Sequence, residues 1–553
     1  MIKPSKKDFL QLVKDGTIPP LYEEIPYSSP CSIYKSLASK NSFLLESVKG
    51  HEKIARYSFI GFEPCLVFKV KNGIIEIETS DINRTDKSLI KDYKNYHPPS
   101  IPPIEGGKVS SSYAAKVKGG FESAFLRQKN ISSSKPLNVL KNLLSSYKQK
   151  PFEYLPPFQG GAAGILSYDF VQYLEQLPKN AVDDINLPDA HFLMIDRLIA
   201  IDHIYKKCWI IVCPGVKDSV VGDGVRTVID WAEKYDEAEY EIKKIMSLVN
   251  SQQSNPPLPP FTKGGQRGIN DQCPMSNDRI EVIYEIKKNE YMDIVKKAKK
   301  YIAAGDIFQA NLSQRVSAHI RDKNPWSLYR ILSSINPSPF AAFIDFGDYQ
   351  IVSSSPERLL RVNDRTIETR PIAGTRPRGK DSNEDELMRA ELLLNEKERA
   401  EHIMLIDLER NDLGRVSDYG TVRVDELMIT EDYSHVIHIV SNVRGDLAYG
   451  KDCFDAIKAA FPGGTITGVP KVRCMEIIDE LEPVSRGPYT GSIGYISFSW
   501  NMDLNIIIRT FVIKGEMAYV QVGAGIVADS EPEREYYETL KKAEALIKTL
   551  ERV

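Results

Sequence analysis

The sequence predicts an α+β fold in which large β-sheets are covered by helices. Three observations carry that expectation. Residues 66–78, LVFKVKNGIIEIE, alternate apolar and polar positions about Asn72-Gly73, a pair that tolerates positive φ, and so read as a hairpin. From about residue 285 helical spacing takes over, as in NEYMDIVKKAKKYIAAGD, where apolar residues recur every three or four positions. Near the end, SIGYISFS, LNIIIRTFVI and MAYVQVGAGIVA are apolar strand runs, and a helix occupies the last stretch.

Taken in order, the first part of the chain, 1–250, is strand-rich, with DRLIAIDHIYKKCWIIVC (196–213) as a second strand pair. Residues 97–122 are rich in Pro, Gly and Ser and read as a loose insert. Residues 251–279 form the clearest linker, because their composition cannot bury a core. In 280–553 the helix at NEYMDIVKK leads into IFQANLSQRV as a strand. A chain of 553 residues can hold two to four domain-sized units or one large composite core.

Composition excludes several function classes. The formal charge of −3 with mixed signs gives no support for nucleic acid or an anionic membrane as partner. No apolar run approaches a bilayer's thickness, and the N-terminal residues have no signal-peptide core. Seven scattered cysteines form no CxxC, which suits reduced thiols in the cytoplasm. The eight histidines show no zinc spacing.

Carboxylates therefore come forward. Glu398 and Glu401, in ERAEHIMLIDLERNDLGRV, point to one side of a helix that Ile403, Leu405, Ile406 and Leu408 would bury. Glu535 and Glu538, in EREYYETLKKAEAL, repeat the spacing. Two such pairs invite a divalent, oxygen-loving ion such as Mg2+, whereas in isolation they would read as solvated helix charges.

Six blocks place the chain among known sequences: PIAGTRPRG (371–379), AEHIMLIDLERNDLGRV (400–416), HVIHIVSNVRG (435–445), FPGGTITGVPKVRCMEIIDELE (461–482), RGPYTGSIGYIS (486–497) and QVGAGIVADSEPEREYYETLKKA (521–543). With them the C-terminal half resembles the chorismate-utilising enzymes, and within these the anthranilate synthase component I branch. LLES (44–47), RYSFIG (56–61) and FQGGAAGILSYD (158–169) extend the likeness more weakly toward the N-terminus. The resemblance implies that family's composite sheet-and-helix sandwich, with 1–250 as a strand-rich regulatory part and 280–553 as the chorismate-binding part.

It also implies a chemistry. Anthranilate-forming members add ammonia at C2 of chorismate with loss of the C4 hydroxyl, then eliminate pyruvate. Glu398, Glu401, Glu535 and Glu538 fall on the family's Mg2+ positions, with Glu401 and Glu538 as direct ligands. His438 matches the histidine of the elimination step, and a neutral imidazole suits acid–base work near pH 7; His435 reads as structural. Arg509, a cation in an otherwise apolar strand, aligns with the arginine that holds the enolpyruvyl carboxylate, with Tyr489 beside it. Gly374-Thr375 and Gly523-Ala524-Gly525 read as small-residue turns whose N–H groups approach an anion. Thr465 and Lys542 match further positions lining the site.

Two positions separate the branches by resemblance. Water-using members carry a lysine base where this chain has Gln309, and many aminodeoxychorismate synthases carry a lysine nucleophile where it has Ala373. Gln309 argues against the water-using branch and Ala373 favours anthranilate formation, with the aminodeoxychorismate branch and a catalytically inactive tryptophan-binding paralogue as alternatives. LLES resembles the tryptophan feedback site, through Glu46 and Ser47, together with Pro339, Phe340 and Ala341 of NPSPFAA (336–342). That last motif departs from the family's NPSPYM. No glutaminase elbow is present, so the resemblance implies ammonia from a separate glutamine amidotransferase subunit in a hetero-oligomer.

Overall fold

The computed structural model describes residues 1–50, 54–79, 127–220, 229–253, 280–432 and 436–553. The stretch 97–122, residues 254–279 and His435 lie outside the described residues. Leu66–Lys71 pairs antiparallel with Ile74–Thr79, and Asn72 and Gly73 take φ of 49° and 76°. Two left-handed residues in succession match the natural twist of the hairpin. Arg197–Asp202 and Lys207–Val212 form the second expected pair. The helix Lys288–Ala303 buries Tyr291, Ile294, Val295 and Ala298, a stripe at helical spacing, and leads into the strand Gln309–His319.

Among the described residues the strands form two twelve-stranded sheets, and the pairings are antiparallel. In the first, Ser42–Glu46 lies between Tyr57–Gly61 and Phe340–Asp345. In the second, Gly161–Leu166 lies between Ala190–Ile195 and Ser492–Ser497. Strands from both sides of 251–279 thus share each sheet, and each half covers strand edges that the other would leave open.

The sheets pack face to face. Phe59, Ile211, Ile344 and Ile351 of one meet Val67, Ile165, Leu193 and Tyr495 of the other in a single buried cluster. Phe59 and Tyr495 contact edge-on at 5.3 Å between ring centres. Each such side chain withdrawn from water contributes roughly 1.5–3 kcal/mol, so the sandwich is held mainly by this apolar layer. The helices Lys288–Ala303 and Pro532–Leu550 cover the outer face beside Met517–Ile526.

Two local expectations fail. LNIIIRTFVI is not one strand: Met502–Asn505 and Thr510–Lys514 belong to different sheets, and Arg509 sits in the crossing segment at φ 53°. Arg509 is therefore not a cation within a strand. The apolar run had hidden a sheet change. In the helix Glu396–Gly414, Leu405 and Ile406 are buried, but Ile403 is 48% exposed while His402, Glu409 and Asp412 are buried.

Candidate active site

Two helices and the ends of several strands converge on one site. The helix Glu396–Gly414 starts at Asn395, whose side chain accepts the Glu398 N–H at 3.0 Å. This cap fixes the turn that carries Glu398 and Glu401. The helix Pro532–Leu550 brings Glu535 and Glu538 opposite them. Burial pushes the Glu401 carboxyl up, Lys397 opposes, and Glu398, Glu538 and Glu535 each push it further. Burial likewise raises Glu535, with Ser530 opposing and Glu538 adding. The four carboxylates therefore share one electrostatic field.

Cations hold that field together. Arg376 Nη1 lies 2.7 Å from Glu398 Oε1, and Lys542 Nζ 2.9 Å from Glu538 Oε1. The second oxygen of Glu398 is buried without a hydrogen-bond partner. Among the described residues no three acidic, histidine or cysteine side chains form a ready-made metal cage. The donor set is open and all-oxygen, which fits Mg2+, an ion that fills most of its shell with water and substrate oxygens.

His438 stands on the strand Val436–Asp446, paired with Thr375 of the strand Ile372–Pro377. Its Nδ1 lies 2.9 Å from the Thr375 hydroxyl and 3.3 Å from the Gly374 carbonyl oxygen. A carbonyl only accepts, so Nδ1 carries the proton and Nε2 is the basic atom. Burial first, then the Arg509 charge, push the ring down to about 3. The ring is neutral, but without substrate it does not titrate near pH 7 as expected from its type.

The glycines are not turns. Gly374 lies on a strand at φ 71°, at an irregularity between Ala373 and Thr375, and a Cβ there would sit 2.8 Å from Glu398 Oε2. It brings the strand beside His438 close against Glu398. Gly523, Ala524 and Gly525 lie within Met517–Ile526, opposite Ser313, Leu312 and Asn311. A Cβ on Gly523 would sit 2.6 Å from Asn311 Oδ1 and 2.8 Å from the Tyr489 hydroxyl, and one on Gly525 would strike the Gln309 amide. These glycines make room for side chains that cross the strand. Beyond Val520 the pairing with Thr510–Lys514 ends, and Lys542 donates to the Gly523 carbonyl at 2.9 Å.

One residue had no signal in the sequence. Glu357, between the strands Tyr349–Ser355 and Arg358–Asn363, is buried, and burial raises its carboxyl to about 7. The Thr465 hydroxyl, the Ile372 N–H, Arg509 and Lys542 pull it back. Four residues scattered over the sequence thus act on one carboxyl. Ile506 N–H donates to the Glu357 carbonyl at 3.0 Å and Ser354 N–H to that of Arg509 at 3.2 Å, which pins both against the crossing segment. In SSSPERLL an acid beside Pro and Arg reads as an ordinary turn residue. Only its surroundings mark it.

A family model described as chorismate binding enzyme matches residues 105–548. The chain belongs to that family. Anthranilate synthase component 1 of Acetivibrio thermocellus is 40% identical over 100% of this chain and 99% of its own. Aminodeoxychorismate synthase component 1 of Bacillus subtilis (strain 168) is 39% identical over 96% and 97%. The crystal structure of anthranilate synthase component I from Streptococcus pneumoniae TIGR4 superimposes with a TM-score of 0.66 at 31% identity, covering 95% of this chain and 99% of that one. The α+β sandwich is thus that of the chorismate-utilising enzymes.

In this family member the remaining sequence-predicted residues gather elsewhere. Glu46, Ser47, Pro339, Phe340 and Ala341 line a cavity of about 580 Å³, on adjoining strands where Ala341 pairs with Glu46. Burial raises Glu46, and Tyr329 and the Cys31 thiol donate to it. The Ser47 hydroxyl donates to the Pro339 carbonyl at 3.1 Å, so it ties the two segments together. The Phe340 ring lies 5.2 Å beneath the guanidinium of Arg358, the residue after Glu357. No described helix is long and apolar enough to cross a membrane.

Proposed function

We propose that this chorismate-utilising enzyme is the large subunit of an anthranilate synthase. The observation that carries the reading is that two buried proton-handling groups, His438 and Glu357, both feel the charge of Arg509. Arg509 binds the enolpyruvyl carboxylate, with Tyr489 beside it. Glu357, buried and proton-bearing near neutral pH, gives its proton to the departing C4 hydroxyl as ammonia adds at C2. Nε2 of His438 then takes the C2 proton as pyruvate leaves. Burial is the larger cause of the low His438 value, and an anionic carboxylate on Arg509 offsets the smaller part that comes from the Arg509 charge. Thr375 and the Gly374 carbonyl orient that ring. Mg2+, held by Glu398, Glu401, Glu535 and Glu538, would grip the ring carboxylate and draw charge from the ring.

The neutral Gln309 amide against Gly525 and the methyl of Ala373 argue against a water base and a covalent lysine respectively. Ammonia is delivered by a separate glutamine amidotransferase subunit, as the designation component 1 among the relatives suggests. Tryptophan binds the cavity at Glu46 and Ser47 as a feedback inhibitor. Its route to the site is short, because Arg358 stacks on Phe340 and adjoins Glu357.

Product identity tests this reading. Purified protein given chorismate, Mg2+ and ammonium is expected to yield fluorescent anthranilate and pyruvate, suppressed by tryptophan. A non-fluorescent aminated product that requires an added lyase would assign the chain to the aminodeoxychorismate branch, which the Bacillus subtilis relative represents. No product at all would leave a tryptophan-binding paralogue.

A further inference from the structure

The motif RYSFIG (56–61) and the turn after the strand Arg197–Asp202 take no part in the chemistry above, yet both reach the cavity at Glu46 and Ser47. Arg56 and Ile204 line that cavity. The turn holds Arg56 from two directions. Asp202 Oδ2 accepts from its Nε at 3.0 Å and its Nη2 at 2.8 Å, and the His203 N–H donates to its carbonyl at 2.9 Å. The guanidinium also lies 4.7 and 4.9 Å from the ring centres of Tyr57 and Tyr205. Ion pairing, stacking and a main-chain bond together pack the turn onto one wall of the cavity.

From the His203 imidazole an unbroken line of hydrogen bonds runs to the same wall. The Tyr27 hydroxyl lies 3.0 Å from Nδ1, Nε2 lies 2.6 Å from the Ser58 hydroxyl, and the Ser58 oxygen accepts the Ser47 N–H at 3.1 Å. Ser47 in turn donates its hydroxyl to the Pro339 carbonyl at 3.1 Å. Ser58 is buried and already accepts from Ser47, so its own proton goes to Nε2, and Nδ1 carries the ring proton toward Tyr27. Burial first, then Lys206, push the imidazole below its ordinary range, with Asp202 opposing, so the ring is neutral as this polarity requires. Tyr27 closes the line at the surface, where it is 38% exposed.

The line ends where the sheet no longer holds the wall. The ladder between Ser42–Glu46 and Phe340–Asp345 stops at the Glu46–Ala341 pair. Beyond it the Pro339 segment is tied by the Ser47 hydroxyl and by the Val48 N–H, which donates to the Ser338 carbonyl at 3.1 Å. Phe340 and Ala341 bring no polar side chain to this wall, so the fixing falls to Ser47. We infer that His203 is a positioning residue of the tryptophan cavity, fixing Ser47 through Ser58 and the Pro339 segment through Ser47. The inference rests on tryptophan being the occupant of that cavity. His203 itself does not line the cavity and touches no reacting atom. Without the ring the buried Ser58 proton loses this acceptor, and a hydroxyl that rotates to find another no longer presents its lone pair to Ser47.

Calorimetric titration with L-tryptophan, run beside the rate of chorismate conversion, tests this. In His203→Leu the affinity for tryptophan is expected to fall about tenfold, while the uninhibited rate and the KM for chorismate stay within about twofold of wild type. His203→Gln, whose amide accepts from Ser58 and donates to Tyr27, is expected to bind within about threefold of wild type. Tryptophan bound by His203→Leu as tightly as by wild type overturns the inference. A glutamine variant as weak as the leucine one also overturns it, because hydrogen bonding would then not be the cause. So does an equal fall in affinity and uninhibited rate, the mark of a merely structural residue. If His203→Leu does not fold, Ser58→Ala is read by affinity and uninhibited rate in the same way. Wild-type protein that binds no tryptophan overturns the reading of the cavity and the inference with it, whereas wild-type binding that every variant matches overturns the inference alone.

Discussion

The front and back of the site use the same side chain for opposite ends. At the front, Glu401 and Glu538 keep 31% and 51% of their side-chain surface in water and lie beside lysines. At the back, Glu357 is 5% exposed. Burial raises Glu401 at the front as well, but Lys397 opposes it and water reaches it, so charge costs less there than at the back, which suits these carboxylates to a divalent ion. Burial makes charge costly at the back, so that carboxyl keeps a proton near pH 7 and can give it away. Environment, not residue type, divides the labour.

The sharpest way to break this contrast is at the back. Glu357→Gln keeps shape and loses the proton, so turnover is expected to fall about a thousandfold with the fold intact. Anthranilate fluorescence and a melting curve check it, and a loss below tenfold would remove the general-acid role. At the front, Glu401→Gln should abolish Mg2+-dependent turnover and weaken Mg2+ binding, on the order of a hundredfold by calorimetry. Unchanged Mg2+ binding would sink the metal assignment, and a Gln that behaved alike at both ends would erase the distinction.

A smaller effect concerns stability. The folded Glu357 carboxyl is raised to about 7 from an ordinary 4.5. A raised group binds its proton more tightly in the folded state. Its stabilising contribution is therefore complete below pH 4.5 and is lost as pH rises through 7. At pH 8 the buried charge is expected to cost about 3 kcal/mol, a penalty that Glu357→Gln removes. Denaturant melts at pH 5 and pH 8 should show the variant gaining on wild type at the higher pH. An equal difference at both would place Glu357 in a wetter setting than its burial implies.

Much of the fold was legible along the chain. The Asn72-Gly73 hairpin, the Lys288–Ala303 helix and the capped glutamate helix all rest on local periodicity, which neighbours in sequence dictate. LNIIIRTFVI misled because continuous apolar content does not reveal that the chain changes sheets at Arg509. The glycines misled because a small residue can mark a turn or simply leave room. At Gly523 it leaves room, for Tyr489 and Asn311.

The sequence by itself determined the family motifs, the paired spacing of Glu398 with Glu401 and of Glu535 with Glu538, and the neutral Gln309 and Ala373. Only the tertiary structure decided that Glu357 is an acid near neutrality and that His438 rests far below it. Spacing is a local property of the chain. A proton's affinity is set by desolvation and by charges such as Arg509, which folding brings in from far along the sequence.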